Sequence, residues 1–129
     1  MQCTIEPAMC GVVSQISEEQ VIALADYFSS IDRVDSTETY DRALAEKGEV
    51  IHSDRCSRCH VRAEDEDADE SLGIPLDGQR SAYLRYALQG YLNGTRTTLA
   101  PQMARSLEGL DDEDLESLVH YYASYRSPQ

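Results

Sequence analysis

The chain has 129 residues, 41% hydrophobic and 27% charged, with 24 acidic against 11 basic side chains. That length supports one compact domain with an appendage rather than two full cores. A formal net charge of −13 argues against nucleic acid and anionic membrane surfaces as partners, because like charges repel.

No stretch approaches the roughly 18 uninterrupted apolar residues of a spanning helix. Met1 to Gln15 shows neither the basic start nor the apolar run of a signal peptide. With no Trp, one Phe and few β-branched runs, the composition predicts an all-α protein. Eight Tyr give an aromatic set that carries hydroxyls.

In chain order, the first strong element begins at Ser17. Ser17-Glu18-Glu19-Gln20 forms a capping box, and Val21, Leu24, Ala25 and Phe28 follow at helical spacing until Ser29 and Ser30. Residues 31–37 read as a polar connector. A second helix is expected from Ser36 or Thr37, carrying Tyr40, Ala43, Leu44, Val50 and Ile51, with Gly48 a weak point inside it. Residues 62–73, dense in Asp and Glu, read as a solvated loop, since packed like charges prefer water. Leu76-Asp77-Gly78-Gln79 leads into a helix from Ser81 to about Tyr91, closed by Gly94. A loop from Thr95 to Ser106 holds Pro101 and Met103. The last helix starts at Asp111, with acids in its first turn and an apolar face of Leu115, Leu118, Val119 and Tyr122.

The chain repeats itself. Met9 lies as far before Ser17 as Met103 lies before Asp111, and both helices end in an aromatic pair, Tyr27-Phe28 and Tyr121-Tyr122, with Ser30 and Ser124 behind. Two copies of a "Met, loop, capped helix" unit follow from this, and only the second has further elements upstream.

Arg55-Cys56-Ser57-Arg58-Cys59-His60 contains C-x-x-C-H, the attachment signature of c-type haem. Two thiols one turn apart add to the porphyrin vinyl groups, and the adjacent imidazole reaches the iron. A zinc site would want a second ligand pair at similar spacing, which Cys3, Cys10, His52 and His120 do not supply. A thioredoxin-like pair would want a βαβ pattern, which is absent. Met103 is the expected sixth ligand. A lone Met is ordinarily core filler, but here it sits in a polar loop with an iron position to satisfy. Imidazole and thioether together raise the potential and leave no open position, so electron transfer is expected and no catalytic residue is assigned. The Ile74-Pro75 segment is expected to supply the carbonyl that orients His60. Gln79, Tyr83 and Tyr86 are candidate haem neighbours, with ordinary packing the competing reading. His52 is read as an exposed helical residue and His120 as a helix-face residue. Cys3 and Cys10 suit a disulfide in an oxidising compartment; two free thiols, or a soft copper site with Met1 and Met9, stand as alternatives.

Tyr40-Asp-Arg-Ala-Leu-Ala, Ile51-His-Ser-Asp, Cys56-Ser-Arg-Cys-His-Val, Leu76-Asp-Gly-Gln, Tyr83-Leu-Arg-Tyr-Ala, Met103-Ala and Tyr122-Ala-Ser occur in that order. This series resembles the cytochrome subunits of flavocytochrome c sulfide dehydrogenases and, more distantly, cytochrome c4-type domains, over about residues 9–125. The resemblance implies a class I cytochrome c fold in residues 37–129, with one haem c. Family members commonly carry two haem domains, and residues 1–36 lack any C-x-x-C-H. They would then be a truncated helical half-domain with Met9 at the axial position. The resemblance further implies a periplasmic heterodimer with an FAD-containing, sulfide-oxidising subunit, and a soluble electron acceptor. FAD would belong to the partner, since no G-x-G-x-x-G follows a strand here. A free-standing periplasmic carrier is the alternative.

Overall fold

The computed structural model describes residues 7–32, 34–62, 74–96 and 101–126. Among them are six helices and no strand: α1 (Pro7–Val13), α2 (Glu18–Ser30), α3 (Arg42–Arg55), α4 (Ser81–Leu92), α5 (Pro101–Leu107) and α6 (Asp112–Ser124). The protein is all-α. It divides into two compact units, Met1–Val34 and Asp35–Gln129. No helix among the described residues is long and apolar enough to cross a membrane.

In the second unit the dominant contact is between α3 and α6; α4 packs on α6, and α5 touches α4. The face expected for α6 is the face that packs: Leu115, Leu118, Val119 and Tyr122 are all buried, the last three to 2% exposure or less. Each such side chain contributes about 1.5–3 kcal/mol by leaving water. They form one cluster with Leu84 and Leu88 of α4, Leu107 of α5 and Cys56.

Gly48 is the point where α3 meets α6. A Cβ there would overlap the Ser117 carbonyl and lie 2.7 Å from Tyr121 Cβ, so only glycine lets the two backbones touch. The weak point expected from helix propensity is thus the closest contact of the unit. Ser117 itself is fully buried, its hydroxyl donating to the Glu113 carbonyl at 2.8 Å.

Helix α3 begins later than the sequence predicts, at Arg42, because Asp41 caps it and Glu38 serves α4. Asp41 is its N-cap, accepting from the Leu44 N–H at 3.0 Å, while the Asp41 N–H donates to His120 Nδ1 at 2.9 Å. Helix α4 has no cap of its own, and the Glu38 carboxylate accepts its Ser81 N–H at 2.8 Å. That bond holds the Glu38 carboxyl below the usual range. Tyr40 therefore lies outside the helix, Val50 faces solvent, and the packed positions are Ala45, Gly48 and, partly, Ile51.

Two segments read as loops are helical where described. Met9 lies on α1 and Met103 on α5, each in a short helix opened by proline, whose missing N–H costs nothing at the first position. The internal repeat is therefore structural: α1 and α5, and likewise α2 and α6, have identical lengths at an offset of 94 residues. Both longer helices carry complete capping boxes, Ser17 with Gln20 and Asp111 with Asp114. Their faces differ in fate. Leu24 and Phe28 of α2 are 45% and 63% exposed, whereas their counterparts Leu118 and Tyr122 are 1% and 2% exposed.

Gly48→Ala gains about 1 kcal/mol of helix propensity but inserts a methyl group against fixed backbone. A net loss of about 1–3 kcal/mol is expected, read as a lower denaturant midpoint at unchanged slope.

Candidate functional site

The last turn of α3 delivers the C-x-x-C-H segment. Gly48, His52 and Cys56 are spaced by four, so they share the α3 face turned to α6. The Cys56 N–H closes the helix on the His52 carbonyl at 2.8 Å, and Cys56 joins the buried cluster. The chain then turns tightly: the Cys59 and His60 N–H groups both donate to the Cys56 carbonyl, at 3.1 and 2.9 Å. Cys59 and His60 emerge half-buried on the far side. Neither Cys56 nor Cys59 forms a disulfide. Burial pushes the Cys56 thiol up.

His60 Nδ1 lies 2.8 Å from the Ile74 carbonyl oxygen. A carbonyl only accepts, so Nδ1 carries the proton and Nε2 keeps its lone pair for a metal. The expected Ile74-Pro75 segment is the one that orients this ring. That segment is itself tied down. The Gly78 N–H donates to the Tyr122 carbonyl at 2.9 Å, one of the carbonyls left over at the end of α6, and the Ser36 N–H donates to the Gly78 carbonyl at 2.7 Å. Gly78 has φ +68°, and a Cβ there would strike the Asp35 carboxylate, so glycine is required twice over.

Met103 is half-buried on α5 and packs against the same cluster that contains Cys56. One imidazole with a free Nε2, two thiols at helical spacing and a thioether beside one core make a donor set that fits an iron porphyrin. Among the described residues no group of three or more His, Cys, Asp or Glu comes together. Cys10 is disulfide-bonded. Cys3 and Met1 lie outside the described residues, as does 63–73 of the acidic stretch.

The tentative neighbours are spread along the approach to α4. Gln79 is half-buried, and its side-chain oxygen accepts from the Arg80 N–H at 3.1 Å. Tyr83 and Tyr86 are exposed beside the packed Leu84, Ala87 and Leu88, and the Arg96 guanidinium bonds the Tyr83 hydroxyl at 3.2 Å. Arg62, just past the motif, lies 4.0 Å from the buried Asp77 carboxylate and 5.4 Å from the Tyr125 ring centre.

His52 is not the exposed residue expected. It is half-buried, its Nδ1 lies 2.9 Å from the Tyr122 hydroxyl, and its ring lies 5.1 and 5.5 Å from the rings of Tyr121 and Tyr122. Burial is the chief cause that pushes its pKa down, and the Arg62 charge adds to it. Tyr122, buried and bonded to His52, is pushed far up, chiefly by burial. The spacing of four from His52 to Cys56 was the available signal; the pairing with Tyr122 spans 70 residues and had none. His120 accepts the Asp41 N–H through Nδ1 and stands apart from these groups as a structural partner of α3.

Compared with models of known protein families and with curated proteins, the chain gives no match.

Because the thiolate is the nucleophile, the buried Cys56, its thiol pushed up by burial, should alkylate more slowly than the half-buried Cys59 in the folded chain without cofactor. Timed iodoacetamide labelling with peptide mapping should find Cys59 modified first.

Proposed function

We propose that residues 35–129 form a class I cytochrome c unit holding one covalent haem c, and that the chain is the electron-transfer subunit of a sulfide-oxidising flavocytochrome. The observation that carries this reading is the His60 Nδ1–H bond to the Ile74 carbonyl, at 2.8 Å, directly behind a C-x-x-C pair. It leaves Nε2 as the one ring nitrogen able to bind iron.

Haem c in this setting supplies a one-electron couple, with a potential raised by imidazole–thioether ligation and no open position for substrate. The chain's residues hold and shield it. Cys56 and Cys59 would tether it through thioethers, and His60 and Met103 of α5 would supply a nitrogen and a sulfur to its iron. The cluster of Leu84, Leu88, Leu107, Leu115, Leu118, Val119 and Tyr122 excludes water around Cys56. A dry surrounding lessens solvent reorganisation when the charge changes.

The donor is an FAD-bearing partner that oxidises sulfide, and a soluble carrier is the acceptor, in the periplasm. The order of motifs from Tyr40 to Ser124 supports this narrower assignment. The net charge of −13 suits a basic acceptor steered by the acidic field.

Two measurements test the reading. Haem should resist acidified acetone in the wild type; Cys56→Ser should weaken its retention. Met103→Ala should abolish the near-infrared sulfur-to-iron band and lower the potential, while His120→Ala should leave the spectrum unchanged. A colourless, fully matured chain would refute the haem assignment. Purified from its source, the chain should bring a flavoprotein with it, and sulfide should reduce the haem rapidly. A monomer that sulfide reduces only slowly would favour the free-standing carrier.

A further inference from the structure

Helix α2 repeats α6 without repeating its surroundings. At the constant offset between them, Leu118, Tyr121 and Tyr122 become Leu24, Tyr27 and Phe28. The aromatic pair keeps its spacing, with ring centres 5.3 Å apart in both helices. On α6 the stripe is covered by α3 and α4. On α2 Leu24, Tyr27 and Phe28 are all exposed, and no residue of the helix is buried.

The copy extends to the residues that receive α3. Ser117, fully buried where α3 crosses, corresponds to Ala23, so the crossing point again carries a small side chain. Glu113, which holds Lys47 of α3 at 3.0 Å, corresponds to Glu19. Glu19, Ala23 and Tyr27 follow at intervals of four, as Glu113, Ser117 and Tyr121 do, so each set shares one face of its helix.

We propose that this face of α2 docks a partner protein through a helix that carries a glycine at the crossing and a cation beside it, the chemistry that Lys47 and Gly48 present to α6. Tyr27 and Phe28 are aromatic anchors of the kind that dominate interface energies. Nothing in this docking depends on the haem.

Charge selects the occupant. The charged side chains of α2 are Glu18, Glu19 and Asp26, all acidic. Two copies joined through α2 would therefore set carboxylates against carboxylates, which is costly at an interface. Nor does a second copy have an α3 to offer, because α6 already closes over Gly48 and takes up Lys47. The occupant is a different protein, apolar along one helix and basic at its flank. Its cations would be drawn in by the acidic face, so association should weaken with salt.

The test uses the full chain and a defined probe. The probe is a synthetic peptide of residues 40–55, held helical by a side-chain lactam joining positions 42 and 46, both exposed in α3. NMR of the isotope-labelled chain should show saturable shifts at the α2 amides on adding this peptide, with weaker binding at high salt. Glu19→Lys should weaken it about two- to fivefold. Ala23→Leu is the sharper variant. Leucine is a strong helix former and adds apolar surface, so a merely adhesive face would bind the peptide equally well or better. A close crossing should instead lose about tenfold or more, and Gly48→Leu in the peptide should do the same. Shifts absent from α2, or confined to the second unit, overturn the proposal, as does undiminished binding by Ala23→Leu. Self-association of the chain alone in sedimentation, abolished by Leu24→Asp, would give the face to a second copy and overturn it too.

Discussion

The crossing of α3 over α6 at Gly48 governs the second unit. There the Ser117 carbonyl occupies the space a side chain would need, so the two helices meet backbone to backbone. That approach brings Leu118, Val119 and Tyr122 within reach of α3 and α4 together. It also fixes which face of α3 turns inward, and Cys56 lies on that face two turns further on. The following tight turn puts Cys59 and His60 outside the cluster. The placement of the C-x-x-C-H residues is thus a consequence of helix packing rather than of loop geometry.

A second layer of constraint comes from side chains that finish the work of other helices. Glu38 caps α4, His120 takes the Asp41 N–H at the start of α3, and the end of α6 gives its Tyr122 carbonyl to Gly78. Arg126 closes the circuit, donating to the Ala123 and Glu38 carbonyls at 2.6 and 2.9 Å. Lys47 sits 3.0 Å from both Glu113 and Asp114, and Arg85 reaches Glu116 at 2.6 Å. Such pairs remove both signs together, so the acidic excess follows from the net charge of −13.

These facts explain what the sequence revealed. Helices α2 and α6 were legible because each announces itself locally, with a capping box and an apolar stripe at the right period. The C-x-x-C-H pattern was legible because it lies within five consecutive residues. The start of α3 was misread because Glu38 and the Asp41 N–H are used at long range, which no local window contains. Helices α1 and α5 were overlooked although Pro7 and Pro101 mark their first positions; with seven residues each they carry too few apolar positions to show a period. The meaning of Gly48 depended on Ser117, and that of His52 on Tyr122. Both are pairings across tens of residues.

The two capped helices offer an internal control that the chain performs on itself. The stripe positions Val21, Leu24, Ala25 and Phe28 match Leu115, Leu118, Val119 and Tyr122, yet all four are buried in α6 while Leu24, Ala25 and Phe28 are exposed in α2. Thirteen residues without tertiary burial sit at the margin of what isolated helices sustain. The persistence of α2 therefore leans on the Ser17 and Gln20 caps, and its backbone amides should open to solvent by fraying rather than by global unfolding. An amphipathic pattern records a capacity for burial; the neighbour decides whether that capacity is used.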